Sequence, residues 1–102
     1  MKSVKDREFF ETIHNFLKVY LPEQRRCSPH TVKSYRIALN QFIDYLVQKQ
    51  SVSVYDVGFE MINYKTVSAF LDYLTGEKKA TAKTRNLKLA AISSFLSYAS
   101  SI

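Results

Sequence analysis

Two glycines and two prolines among 102 residues are too few for a β-rich chain that must turn tightly every few residues. Long segments of Leu, Lys and Ala, residues with little helix cost, run between them instead, so an all-α fold is expected. One cysteine, Cys27, leaves no internal disulfide to form. No apolar run approaches the ~20 residues that cross a bilayer, and no charged-then-apolar leader precedes the polar opening MKSVKDRE. A reduced, cytoplasmic setting without a membrane follows. The two histidines, His14 and His30, have no cysteine or carboxylate cluster at metal-ligand spacing, and two glycines cannot build a phosphate loop. No catalytic residue, cofactor or metal site is expected, and His14 reads as a solvent-facing helix residue.

Acid is scarce in a pattern that matters more than the net charge of +6. From Gln24 to Ile43 there is no Asp or Glu, but there are Arg25, Arg26, Lys33 and Arg36; from Lys78 to Ile102 there is again none, beside Lys78, Lys79, Lys83, Arg85 and Lys88. Nine of the fifteen cations fall in these two windows, which predicts one strongly positive region on an otherwise neutral or acidic protein. The windows also carry similar sentences, SPHTVKSYRIALNQFIDYL from Ser28 and TAKTRNLKLAAISSFLSYA from Thr81. Their identities are too few to argue a duplication.

With 46% apolar residues the chain can bury a core, and residues 1–102 read as one domain. A first helix is expected from a Ser3 cap, with Asp6 three residues on, to about Leu21, where Pro22 stops it; Phe9, Ile13, Phe16, Leu17 and Tyr20 form its apolar face. Ser28 followed by Pro29 starts a second helix, because the serine caps a free N–H and proline at the first position loses no bond. Its stripe is Val32, Tyr35, Leu39, Phe42, Ile43 and Leu46. SVSVYDVGFEMI is a connector holding either a short turn near Asp56 or a brief strand. Asn63 caps a third helix with Val67, Phe70, Leu71 and Leu74 inward, and Gly76 is placed to end it with positive φ. Thr81 caps a fourth, with Leu89, Ile92, Phe95, Leu96 and Ala99 as its face. The expected architecture is a compact bundle of four or five helices, arranged as two packed helical hairpins.

Each basic window opens on a helix N-terminus, where free N–H groups and the helix dipole attract phosphate, and two such ends side by side would track a DNA backbone. With Val32 at zero on a helical wheel, Arg36 falls near 40°, Asn40 near 80° and Lys33 near 100°, a flank beside the core stripe. Arg85 and Lys88 fall almost within the apolar stripe, so their cations must snorkel or sit past the core's edge. Any one of these cations alone is more simply a solvated surface residue; as a set with no acid between them they favour binding. Tyr35 belongs to the core stripe while its hydroxyl can reach a phosphate from the rim. Thr31 and Thr84 serve equally as ordinary first-turn residues.

These segments resemble the N-terminal core-binding, SAM-like domain of tyrosine recombinases, the phage integrase family. SPHTVKSYRIALNQFIDYL is similar to its S-x-x-T-x-x-x-Y-x-x-x-L-x-x-F signature, INYKTVSAFLDYLTG to its loose third helix, and Thr84, Asn86, Leu89, Ile92, Phe95 and Leu96 to its last helix. The similarity runs from about Phe9 to Tyr98. The resemblance implies a DNA-binding half of a C-shaped clamp around a recombination core site, its second and fourth helices against the major groove and flanking phosphates. It implies contacts with double-stranded DNA by Thr31, Lys33, Tyr35 and Arg36, and by Lys83, Thr84, Arg85, Asn86 and Lys88. Asn86 suits a base edge, and the lysines suit phosphates. Ser93 and Ile37 depart from the family, standing where basic residues are common.

Family members cut and rejoin DNA through a C-terminal domain with an Arg, a Lys, an H-x-x-R motif and a nucleophilic Tyr. The nearest match, HTVK at His30, ends in Lys33 within the wrong domain. The chain is therefore expected to be a non-enzymatic, monomeric piece of a recombinase of a phage or mobile element, meeting other protomers in a full-length synapse, and its seven tyrosines to be packing and rim residues. The competing reading is a helical protein-interaction module, which an exposed Phe10 beside Phe9 would favour. A helix-turn-helix regulator fits less well, because a whole helix and connector separate the two basic helices.

Overall fold

The computed structural model describes residues 7–51, 53 and 56–102. The proposed Ser3 cap, with Asp6, lies outside the described residues. Helix α1 spans Arg7–Asn15 and continues without a break into a π-helical segment, Phe16–Gln24; α2 spans Pro29–Lys49, a 3₁₀ turn covers Phe59–Met61, α3 spans Tyr64–Gly76 and α4 Ala82–Ser101. No strand occurs among the described residues, and the Asp56 N–H meets the Ser53 carbonyl at 2.8 Å, a turn near Asp56.

The π segment is where the fold departs from the sequence reading. Pro22 does not stop the first helix at Leu21; it sits inside the wider coil, which runs to Gln24 and closes with the Arg25 N–H on the Tyr20 carbonyl at 2.8 Å. The reason lies in the burial of Phe16, Leu17 and Leu21. At about 100° per residue an α-helix would carry Leu21 roughly 140° away from Phe16. Bonds reaching back five residues widen each turn and bring Leu21, which an α-helix already sets over Leu17, closer to Phe16 as well, and all three enter the core.

Three helix starts form as their residues dictate. The Ser28 hydroxyl accepts the Thr31 N–H with Pro29 at the first turn, Asn63 and Thr66 form a reciprocal capping box, and the Thr81 hydroxyl accepts the Thr84 N–H. The end of α3 differs from expectation. No glycine has positive φ; Gly76 stays helical, and Lys79 takes the left-handed conformation at φ 52°. The chain then closes with the Ala80 N–H on the Leu74 carbonyl at 2.9 Å.

The π segment packs on α2, α1 sets Phe9 against Phe95 of α4, α3 packs on α4, and α2 and α4 pack together to join the two hairpins. The core is aromatic. Phe16, fully buried, lies 5.5 Å from Phe95 and from Tyr98, 5.8 Å from Tyr20 and 6.5 Å from Tyr35; Phe42 and Tyr45 meet Phe70 at 5.1 and 5.4 Å. Every residue proposed for the apolar faces is buried or half-buried. Phe10 is half-buried, set edge-on against Phe9 at 5.1 Å, which removes the exposed ring that the interaction-module reading relied on. Among the described residues, no helix is long and apolar enough to cross a membrane.

Candidate nucleic-acid interface

The starts of α2 and α4 are close copies in detail. In each, a hydroxyl cap accepts the N–H of a threonine three residues on at 3.2 Å, and the two hydroxyls bond each other, Ser28 to Thr31 at 3.1 Å and Thr81 to Thr84 at 3.2 Å. Two residues before each cap stands a cation with left-handed backbone, Arg26 at φ 53° and Lys79 at φ 52°. Between cation and cap, the Cys27 N–H reaches back six residues to the Leu21 carbonyl, as that of Ala80 reaches Leu74. Arg26 and Lys79 gave no signal in the sequence, because left-handed turns are ordinarily flagged by glycine or asparagine.

Of the nine residues proposed for DNA contact, Lys33, Arg36, Lys83, Thr84 and Asn86 are exposed, while Thr31, Tyr35, Arg85 and Lys88 are half-buried. Tyr35 stacks on Phe16, so its ring belongs to the core as its place in the stripe required. Arg85 and Lys88 lie at the core's edge, as their wheel positions demanded; burial pushes the Lys88 ammonium below its ordinary pKa of 10.5. Arg36 lines a shallow groove of about 260 Å³ with Lys18, Leu17 and Val32, which brings a cation of the π segment beside it. Arg85 lines another, of about 520 Å³, with Asp72 and Gly76, so the acid-free window of α4 meets one carboxylate in space that the linear sequence does not show.

Among the described residues the five cations proposed for contact have no acidic partner. Lys33, Arg36, Lys83, Arg85 and Lys88 form no ion pair with a described residue; the pair that does form, Lys49 with Glu77 at 3.3 Å, lies at the far end of α2. Arg25 is raised above its ordinary pKa chiefly by hydrogen bonding to the Tyr20 side chain. Among the described residues no three His, Cys, Asp or Glu side chains cluster as a metal site would require.

Ring contacts and one ion pair place the two ends of α4. Near its end α4 sets Tyr98 4.6 Å from Tyr20 and 5.5 Å from Phe16, against the segment that leads into α2. Its beginning leaves the turn where Glu77 pairs with Lys49, at the last residue of α2. The end of α4 thus lies by the segment that leads into α2, and its start follows the turn beside the last residue of α2.

The family model of the phage integrase N-terminal SAM-like domain matches residues 13–101. The chain is 34% identical over 87 residues to y4rC of Sinorhizobium fredii, named as an integrase/recombinase, covering 85% of this chain and 26% of that protein. It is 32% identical over 83 residues to y4rD of the same organism, named likewise, covering 81% of this chain and 30% of that one. It thus spans less than a third of the length of these curated relatives. No solved structure matches. The helical order, the hydroxyl-capped starts and the match over nearly the whole chain agree: the chain belongs to the phage integrase N-terminal SAM-like domain family.

Proposed function

We propose that this chain is the core-binding domain of a site-specific tyrosine recombinase, a half-clamp that holds duplex DNA at a recombination core site while a separate catalytic domain outside these 102 residues cuts and rejoins it. The observation that carries this reading is the pair of hydroxyl-capped helix starts whose five cations, Lys33, Arg36, Lys83, Arg85 and Lys88, are unpaired among the described residues. Unpaired cations beside free helix N–H groups suit phosphate oxygens. Thr31, Thr84 and Tyr35 can add hydroxyl contacts to the backbone, and Asn86 a contact to a base edge. The domain binds without catalysing, and other protomers of the full recombinase complete the clamp.

Titration of the chain with duplex DNA, followed by amide chemical shifts and repeated at several salt concentrations, tests this. The expected shifts cluster at the starts of α2 and α4, from residues 28 and 81 onward, with nonspecific Kd of roughly 10⁻⁴ to 10⁻⁶ M at physiological salt. Neutralising about five phosphates gives a slope of log K against log salt of roughly −4 to −5. Shifts confined to α1, or salt-insensitive binding, would reject the reading in favour of a protein-interaction surface.

A further inference from the structure

Ile37 is an isoleucine out of place. It lies in α2 at 49% exposure, one of a few large apolar side chains left in water among the described residues, and its neighbours on that face are polar. Lys33 is four residues before it, Asn40 three after and Gln41 four after, all within one turn on the same side of the helix. Lys33 and Asn40 are exposed. The outward face thus carries a cation, an aliphatic group and an amide in sequence. On α4 the composition recurs: Lys83 is exposed, Leu87 four residues on is 41% exposed, and Asn86 beside it is exposed.

Resting on the DNA-binding reading above, we infer that Ile37 and Asn40 form a base-reading pair that selects A·T pairs in the major groove, with Ile37 against the thymine methyl group and Asn40 on adenine. The chemistry of each group supports this. The thymine C5-methyl is the one apolar group in the major groove and is met by apolar side chains, while the asparagine amide can donate to adenine N7 and accept from its N6 amino group at once. A lysine at position 37 would add a phosphate contact with no sequence preference; isoleucine gives up that charge and gains only where a methyl group faces it. Lys33, one turn earlier and unpaired among the described residues, supplies the backbone contact that fixes the register. Asp44, exposed one turn beyond Asn40, repels phosphate and marks the end of the footprint on this helix.

Selection of tightly bound duplexes from a random-core DNA library, followed by base substitution in the selected duplex, tests the pair. The selected duplex is expected to contain a fixed A·T pair. Replacing its thymine by uracil, which removes only the methyl group, is expected to weaken binding about three- to fivefold, near the value of one buried methylene. Replacing its adenine by 7-deazaadenine removes the N7 acceptor and should weaken binding further. Ile37→Ala should erase the thymine-over-uracil preference while keeping the adenine preference, and Asn40→Ala should do the reverse. Salt-dependent binding with no fixed A·T pair, or an Ile37→Ala chain that still tells thymine from uracil, would overturn the inference and leave the DNA-binding reading standing. Absence of duplex binding would overturn both.

Discussion

Arg26 and Lys79 hold the same left-handed backbone, φ 53° and 52°, each two residues ahead of a hydroxyl helix cap. For a residue with a Cβ this conformation costs roughly 1 kcal/mol or more, and glycine is the usual solution. Both positions instead carry an exposed cation. Replacing either by glycine, Arg26→Gly or Lys79→Gly, relieves the backbone but loosens the unfolded chain, a partial offset. The expected net gain is about 0.5 kcal/mol, or roughly 2–4 °C in Tm. Thermal melts check this, and a clear fall in Tm would mean that the left-handed conformers are not those of the folded protein.

The two caps are separable elements. Ser28→Ala and Thr81→Ala each remove one acceptor for a helix N–H and should each cost about 1 kcal/mol. The caps start different helices and share no hydrogen-bond partner among the described residues, so the double variant should cost the sum to within about 0.5 kcal/mol. Denaturant midpoints of the four chains measure this. Strong non-additivity would show that the two starts are coupled.

Local bonds and helical period can be read from the residues, and long-range packing cannot. Ser28, Asn63 and Thr81 were legible as caps because a cap is a bond between a side chain and an N–H three residues away. The stripes of α2, α3 and α4 were legible because burial repeats with the helical period. The π segment was not, since proline ordinarily ends an α-helix and only the shared burial of Phe16, Leu17 and Leu21 shows why the coil widens instead. Nor was the burial of Tyr45, which lies on the flank of its stripe and is covered by Phe70 and Tyr73 of another helix. At the candidate interface, residue types and cap positions could be read, but the contact of the end of α4 with Tyr20 and the approach of Asp72 to the Arg85 groove are tertiary facts.

Phe16 ties both hairpins together through four rings, Tyr20, Tyr35, Phe95 and Tyr98. Phe16→Ala should cost about 3–5 kcal/mol, a large share of the ~5–15 kcal/mol that holds a domain folded. Phe16→Leu keeps most of the volume and should cost clearly less. Urea unfolding distinguishes them, and a loss below about 1 kcal/mol for the alanine variant would contradict the ring cluster.

Lys88 separates stability from binding. Its pKa is lowered from 10.5 by burial alone, so between its folded pKa and 10.5 the unfolded chain binds more protons than the native one. Stability therefore rises with pH through that window, and below it the charged ammonium bears its full desolvation cost. Lys88→Met removes the cost and keeps the stem, so at neutral pH its Tm should equal or exceed that of the parent. The gap between the two should close as pH rises through the folded pKa toward 10.5. If Lys88 meets a phosphate, the same substitution weakens duplex binding and makes the salt slope shallower by about one. A variant that is both less stable at neutral pH and unchanged in salt slope would show that Lys88 is a packing residue and no part of the grip.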